Sequence, residues 1–316
     1  MRICVTGAAG FIGSLLVPSL LEQGYTVTGL DNLHLGGQGL ACFYGHPRFT
    51  FVKGSITDPA IAHRVCKGQE VVVHLAALVG EPPCNRNPDV ARNVNFGGTI
   101  NMLAAAREMG VQHFLFSSTC SNYGKQPGWE LDETASLVPL SLYAETKIAA
   151  EREVMAANMS DFATTVFRFA TAFGVSPRMR FDTMLNEFVR DAMCSWLLIY
   201  GKESYRTVVH VRDIVSMISL TIDKREEAAG QVFNVGGEHI SKMGLVNIIK
   251  KYIPKLDVEF KDHQGDPRDY KANFKKALAF GYSPNHSIED GVIEVKKALE
   301  DGLFADPFSS LYRNVQ

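Results

Sequence analysis

Apolar residues along this chain fall into two spacings that take turns, and the alternation predicts its architecture. Short apolar runs at residues 2–6, 26–30, 49–53, 71–75, 113–117 and 164–169 read as strands. Between them, apolar positions recur three and four apart, the period of a helix with one buried face. The first such helix carries Phe11, Ile12, Leu15, Leu16 and Leu20 and stops at Gly24, and Pro18 inside it predicts a kink. Further helices are expected over 59–66, from about 89 to 109 with Gly110 as the stop, and from about 141 onward. Residues 81–88 and 131–139 read as polar loops. Residues 71–75 are apolar almost throughout, as a parallel strand covered on both faces requires. The pattern predicts an α/β fold, a doubly wound parallel sheet of about seven strands with helices on both faces.

Beyond residue 170 the alternation loosens. Residues 173–181 read as a loop holding Arg178 and Arg180, followed by a helix over 182–194 that carries Asn186. Strands are expected at 207–210 and 231–235, and helices from near Asp213, over 242–252 and over 288–300. Two units follow. Residues 1–170 with about 205–235 form the larger one, and about 171–204 with 236–316 form a smaller α/β lobe. Arginines on loops of this lobe suggest an anion site for a phosphate-bearing ligand, although solvated surface is the usual place for such side chains.

Composition narrows the partners. A chain of 316 residues with net charge −2 carries no global basic signature, so neither nucleic acid nor an anionic membrane is an expected partner. Six cysteines, at 4, 42, 66, 84, 120 and 194, show no C-x-x-C pair and no metal-ligand spacing. They read as reduced thiols of a cytoplasmic protein without a metal. The first strand begins at residue 2, leaving no room for a signal peptide, and no apolar run is long enough to span a bilayer.

The chemistry starts at Val5-Thr6-Gly7-Ala8-Ala9-Gly10-Phe11-Ile12-Gly13, where a strand runs through a glycine-punctuated turn into a helix. Gly7, Gly10 and Gly13 suit a tight turn, close approach of backbone N–H groups to a pyrophosphate, and close packing of helix on strand, the Rossmann arrangement. The helix then points its positive end at the phosphates. Strand two ends at Asp31, whose carboxylate can accept bonds from an adenosine ribose. No Lys or Arg lies between Asp31 and Arg48, so a 2′-phosphate would meet a negative charge without a local cation, and NAD is expected rather than NADP.

Other strand ends gather at the same edge. Ser55 and Ile56 follow the third strand and can touch adenine. Leu75, Ala76 and Ala77 follow the fourth, where small residues let a cofactor lie against backbone or simply pack tightly. Ser117, Ser118 and Thr119 follow the fifth, and their hydroxyls can bond a ligand or their own turn. On the next helix Tyr143 and Lys147 stand four apart, one turn from each other on one face. For Tyr143 to act as a base near neutrality its phenol must fall by about three units from roughly 10, and Lys147 and a positive nicotinamide ring can each favour the phenolate. A Tyr and a Lys at this spacing arise by chance on many helices, so the pair takes meaning from its surroundings.

Thr6-Gly7-Ala8-Ala9-Gly10-Phe11-Ile12-Gly13, Asp31-Asn32, His74-Leu75-Ala76-Ala77, Ser117-Ser118-Thr119, Tyr143-x-x-x-Lys147 and Arg206 before Val209-His210-Val211 occur in one order along most of the chain. Together they resemble the NAD-dependent epimerase/dehydratase family, the extended short-chain dehydrogenases that act on nucleotide sugars. Residues 176–182, 84–88 and 266–270 look more narrowly like its GDP-heptose 4-dehydrogenase branch. The resemblance implies NAD contacts at Gly7, Gly10, Phe11, Ile12, Asp31, Asn32, Ala76, Ala77, Asn95, Tyr143 and Lys147. It implies that Thr119 bonds the reacting hydroxyl, Tyr143 is the base and Lys147 its partner. Asn186, Arg206 and Arg268 match positions that bind the substrate's diphosphate or nucleotide. Ser55 stands where the family often has Asp, and Thr171, a sugar-contact position, where it often has Asn.

The implied reaction is oxidation at sugar carbon 4 to a 4-keto nucleotide sugar. Return of hydride to the other face gives a 4-epimerase; release of the ketone gives a 4-dehydrogenase. Family dehydratases carry Asp-Glu directly after the Ser/Thr, whereas this chain has Cys120-Ser121, which argues against 4,6-dehydration. Cys120 reads as a buried thiol, or less directly as an acid in a 3,5-epimerase. A non-catalytic NAD-binding protein on this fold is a third reading. The resemblance also implies a homodimer built from the helices around 89–109 and 142–157.

Overall fold

The computed structural model of the chain describes residues 1–126, 130–201, 203–261 and 268–314. Its strands are β1 (Arg2–Thr6), β2 (Thr26–Asp31), β3 (Phe49–Lys53), β4 (Val71–His74), β5 (His113–Thr119), β6 (Ala163–Phe169), β7 (Thr171–Phe173), β8 (Trp196–Tyr200), β9 (Tyr205–His210), β10 (Gln231–Val235), β11 (Glu238–Ser241) and β12 (Asp257–Lys261). Its α-helices are α1 (Gly13–Glu22), α2 (Pro59–Cys66), α3 (Glu81–Arg86), α4 (Pro88–Arg92), α5 (Gly98–Glu108), α6 (Leu142–Ala156), α7 (Met184–Ala192), α8 (Val211–Asp223), α9 (Arg225–Ala228), α10 (Lys242–Tyr252), α11 (Lys275–Phe280) and α12 (Ile288–Glu300).

Seven strands form one parallel sheet in the order β10-β6-β5-β4-β1-β2-β3, the doubly wound Rossmann-type α/β arrangement expected from the sequence. The chain walks outward from β1 through β2 to β3, then returns to β4 and walks the other way. The crevice between the carboxyl ends of β1 and β4 is therefore the place where such sheets bind ligands.

Period-two alternation sorts the strand residues into two layers. Ile3, Val5, Leu115 and Phe167 join one core with Leu16, Ile218 and Phe280. Cys4, Phe114, Phe116 and Val166 join the other with Met102, Ala150 and Val154. Each large apolar side chain so enclosed stabilises the sheet by roughly 1.5–3 kcal/mol. The C-terminal lobe carries a three-stranded sheet, β11-β9-β7, and a two-stranded one, β12-β8. Its core gathers Phe173, Phe181, Leu185, Ile199, Leu245 and Val292, and Phe11 of the glycine turn joins it. The turn is thus held by both units.

Several expectations change. The helix expected over 89–109 is interrupted: α4 passes into a single π-helical turn at Asn93–Gly97 before α5 begins. Residues 81–88, expected as a loop, form α3 and the start of α4, because prolines in a first helical turn give up only N–H groups that would have no helical partner. β7, which ends at Phe173 where the loop is expected to begin, and β8, β11 and β12 add to the strands expected from the sequence; they lie in the two small sheets of the C-terminal lobe. The strand ending at His210 pairs with β7 and β11, not with the large sheet, because β10 occupies the open edge of β6. α8, which follows it, packs on the large-sheet core through Ile214, Val215, Met217 and Ile218. α1 remains one helix through Pro18, as the helical spacing predicts. No helix among the described residues is long and apolar enough to cross a membrane.

Candidate active site

The glycine turn sits at the reversal point of the sheet. Gly7 adopts a positive φ of 74°, its N–H donates to Leu30 O at 2.8 Å, and Gly10 N–H donates to Gly7 O at 3.0 Å. A Cβ added to Gly7 would lie 3.0 Å from Ala76 N, and one added to Gly13 only 2.1 Å from Gly7 O. Glycine is therefore required by close approach at both positions. Among the described residues, the N–H groups of Phe11 and Ile12 have no protein acceptor, while Ser176 Oγ donates to Phe11 O at 2.7 Å. Two free N–H groups at the entry of α1 fit a diphosphate.

Asp31 closes β2 beside this turn. Its carboxylate accepts from Ala9 N at 3.1 Å and Leu33 N at 2.8 Å. Burial raises its pKa, and those two N–H bonds together with the charge of Arg178 oppose the rise. Arg178 is the cation that sequence distance concealed: remote in the chain, it comes within electrostatic reach of Asp31. It is 1% exposed, donates to Met179 O and Arg313 O, and burial pushes it down to about 10. Asn32 is exposed and caps its own turn through His34 N. Ser55 bonds Thr57 at 2.7 Å, and Ile56 packs its side chain under Gly98.

Behind β4, Leu75 N donates to Thr6 O and Ala76 N to Thr6 Oγ1 at 3.1 Å, which fixes the small-residue edge Leu75-Ala76-Ala77 against the glycine turn. Asn95, in the π turn, is 1% exposed. Its amide is already engaged with Leu78 N at 2.7 Å, Leu78 O at 3.0 Å and Thr146 Oγ1 at 3.3 Å. Asn95 thus clamps the loop after β4 rather than pointing a free amide at a ligand.

Ser117 and Thr119 end β5, and Thr119 Oγ1 accepts from Ser121 N at 3.1 Å. Ser141 caps α6, accepting from Ala144 N, and so sets the start of the helix that bears Tyr143 and Lys147. Lys147 is 2% exposed and its Nζ lies 4.1 Å from the centroid of the Phe116 ring. Burial drives Lys147 down to about 7, opposed by Glu151 and Cys84. Burial drives Tyr143 up to about 12, opposed by Arg180 and Arg268 and reinforced by Cys84 and Tyr270. The lowering of the phenol expected from Lys147 is absent in the protein alone, because desolvation outweighs every charge nearby.

The other expected ligand groups come from the small lobe. Arg268 Nη1 donates to Ser121 Oγ at 2.7 Å, two residues beyond Thr119, and Arg206 Nη1 donates to the carbonyl of Arg268 and to Tyr205 O. Arg180 makes a two-point ion pair with Asp182, at 3.0 and 3.1 Å, and still reaches Tyr143 electrostatically. Thr171 is half-buried in β7 beside Val208. Asn186 is fully buried and its amide is spent on Gly174 N, Gly174 O and Arg180 O. Those bonds hold the Arg180 loop against Gly174. Cys120 is buried, donates to Arg168 O at 3.1 Å and has its pKa raised by burial, the behaviour of a packed thiol. Asp266 and Pro267 lie outside the described residues. Cys84 and Tyr270, both acting on Tyr143, were not among the expected site groups; each is an apolar-looking position whose neighbours only the fold reveals.

Comparison with known proteins agrees with this arrangement. The model of the NAD dependent epimerase/dehydratase family matches residues 3–236. The chain is 32% identical to a Bacillus subtilis (strain 168) protein described as an uncharacterized UDP-glucose epimerase, YtcB, over 92% of this chain and 96% of that one. A UDP-glucose 4-epimerase from Thermotoga maritima, solved with UDP-glucose, superposes with a TM-score of 0.84 at 28% identity, covering 96% of this chain and all of the other. DesIV, a dTDP-glucose 4,6-dehydratase from Streptomyces venezuelae solved with NAD, gives a TM-score of 0.85 at 27% identity over 96% and 98% of the two chains. Glycine turn, sheet reversal and matched length lead to one conclusion: this chain belongs to the NAD-dependent epimerase/dehydratase family and takes NAD as its cofactor.

Proposed function

We propose that this chain is a nucleotide-sugar 4-epimerase, or a close 4-oxidoreductase, working through a 4-keto sugar. The observation that carries the reading is that the small lobe reaches the end of β5, where Arg268 Nη1 donates to Ser121 Oγ at 2.7 Å, two residues beyond Thr119, and Arg206 bonds the Arg268 carbonyl; Arg180 and Arg268 both favour the ionised form of Tyr143. A diphosphate held by Arg206 and Arg268 sets a sugar ring between them and the glycine turn. Thr119 and Tyr143 then hold the carbon-4 hydroxyl, and Tyr143 takes its proton. NAD held by the glycine turn would supply a hydride acceptor and a positive ring, and Arg180 and Arg268 favour ionisation of the Tyr143 phenol. Lys147 holds the nicotinamide ribose. Gly7, Gly10, Phe11, Ile12 and Gly13 serve the pyrophosphate, Asp31 and Asn32 the adenosine ribose. Ser55, Ile56, Leu75, Ala76, Ala77 and Ser117 line the remaining cofactor path.

Epimerase relatives favour the reading. Dehydratase relatives share the fold, yet elimination needs an acid and a base beside Thr119, and here a buried thiol and the Arg268-bonded Ser121 occupy those places. The cofactor unit comprises residues 1–170 with about 205–235 and the small lobe about 171–204 with 236–316, except that β9 pairs within the lobe and α11 packs on the large-sheet core through Ala277 and Phe280. A cytoplasmic homodimer through the helices around 89–109 and 142–157 completes the proposal.

The test is to incubate NAD-loaded protein with UDP-, dTDP- and GDP-sugars, heptoses included, and record NADH absorbance with product NMR. A carbon-4 epimer without net NADH is expected. A released 4-keto product with stoichiometric NADH replaces the epimerase by a 4-dehydrogenase. Tyr143→Phe is expected to retain NAD and lose roughly a hundred- to ten-thousand-fold in turnover; full turnover in that variant would remove Tyr143 from the mechanism.

A further inference from the structure

One buried ionic group lies directly between the two catalytic segments and takes no part in the reaction as proposed. On α6, Tyr143, Lys147 and Glu151 follow one another at intervals of four, so the three share one face. Glu151 is 4% exposed and Arg168, in β6, 5%. Glu151 Oε1 accepts from Arg168 Nη2 at 2.5 Å and Nε at 3.1 Å. Its Oε2 accepts from Ser118 Oγ at 2.7 Å and Asn122 Nδ2 at 3.4 Å. Ser118 is the residue before Thr119, so this carboxylate bonds the strand end that carries Thr119 to the helix that carries Tyr143 and Lys147.

A buried ion pair is a poor source of net stability, since desolving both charges offsets most of their attraction. Its effect is geometric: a carboxylate with both oxygens engaged admits one placement of the helix against the strand. It also puts one negative charge a helical turn from the Lys147 ammonium.

We propose that Glu151 is a positioning residue of this site, fixing the Tyr143–Lys147 face against Thr119 through Ser118 and acting as the counter-charge of Lys147. The inference rests on the reading of the site given above. The groups around Lys147 make the second part specific. His74 from β4 is kept neutral by burial, down to about 3; the Cys84 thiol from α3 is pushed up to about 11; Tyr143 on α6 is pushed up to about 12; and β5 presents the uncharged ring of Phe116. Of the groups named here, only Glu151 and the Arg168 guanidinium bound to it are charged at neutral pH, and Glu151 is the member of that pair on the Lys147 helix.

The experiment is an NMR titration of ¹³Cε-lysine-labelled, NAD-loaded protein, with the Lys147 signal identified by its loss in Lys147→Arg. Glu151→Gln preserves the shape and an acceptor for Ser118 while removing the charge. The expected result is a Lys147 midpoint lower by about one pH unit, a tenfold loss of proton affinity. An unmoved midpoint in a folded Glu151→Gln protein overturns the proposal, because a merely structural ion pair changes thermal stability without changing that titration. This readout needs no turnover, so a protein inert toward every nucleotide sugar would sink the proposed function and leave this inference to its own result. Should Glu151→Gln fail to fold, Ser118→Ala decides: a tenfold or larger fall in kcat with KM within twofold supports positioning through Ser118, and an unchanged kcat overturns it.

Discussion

His74 donates through Nε2 to the hydroxyl of Thr99, 3.1 Å away, and this bond fixes the tautomer of a fully buried ring. Thr99 spends its own proton on Asn95 O at 2.7 Å, so it can only accept from His74. Nδ1 must then accept from Thr6 Oγ1 at 2.8 Å, leaving the Thr6 oxygen to receive Ala76 N–H at 3.1 Å. A directed chain of bonds thus runs from the π turn, under the sheet reversal, to the backbone of the cofactor edge. It works only with a neutral imidazole, and burial holds His74 down to about 3.

That neutrality has a pH signature. The unfolded chain protonates a histidine near 6.5, whereas folded His74 resists down to about 3 and folded His113 down to about 4. The unfolded state therefore binds more protons across this window, and stability present above about 6.5 is lost as pH falls, by up to about 1.4 kcal/mol per unit per histidine. Urea unfolding at pH 7, 6 and 5 should show this slope, and His74→Asn should make it shallower. An equal slope in the variant would mean that His74 is not the titrating group.

Lys147 is expected to cost stability while serving the site. Its depressed pKa, about 7, means that between 7 and its unfolded value near 10.5 the unfolded chain holds the extra proton, so this residue's penalty eases as pH rises. Lys147→Met should raise the thermal midpoint by about 2–4 °C at pH 7 and abolish turnover. A lower midpoint would show that the ammonium earns compensating contacts in solution.

Gly13→Ala tests the turn by geometry alone. The added methyl would meet Gly7 O at 2.1 Å, and both are backbone-fixed, so the turn itself has to move. Loss of NAD affinity by at least tenfold, measured by calorimetry, is expected together with about 1–3 kcal/mol of destabilisation. Gly24→Ala, where nothing lies within 4 Å but φ is +91°, should lose some stability and keep NAD affinity.

Arg206 and Arg268 should act as one unit. Because Arg206 bonds the main-chain carbonyl of Arg268, removing it disturbs the segment whose side chain is also expected to hold the diphosphate. Each single change to Ala should weaken UDP binding by roughly tenfold or more, and the double variant should lose less than the sum of the two. Additive losses would separate their roles.

The large sheet was legible in the sequence because its strands are buried on both faces and its helices on one, which is where periodicity is strongest. Thr6, Gly7, Gly13, Tyr143 and Lys147 were legible for a different reason: their spacing is itself the geometry. The small lobe was less legible because β7, β8, β11 and β12 lie in sheets of two or three strands, outside the alternation of strand and helix that marks the large sheet. Asn95 and Asn186 show the limit of reading side chains by type. Both carry an amide suited to a ligand, and both engage it with groups that only the folded chain brings near. Arg178 shows the converse, a charge placed near Asp31 by a contact between distant parts of the chain.

The late arrival of β10 bears on how the chain is made. β6 has one neighbour in β5, and its other side stays bare until Gln231–Val235 has left the ribosome, after the whole stretch from β7 to α9 has been synthesised. During that interval a nascent chain displays an apolar parallel edge, the surface on which strands from another copy could add. Truncation before residue 231 should therefore yield insoluble protein even though Gly7, Gly10 and Gly13 and both members of the Tyr143–Lys147 pair are present, and translation through this stretch is where assistance by chaperones matters most.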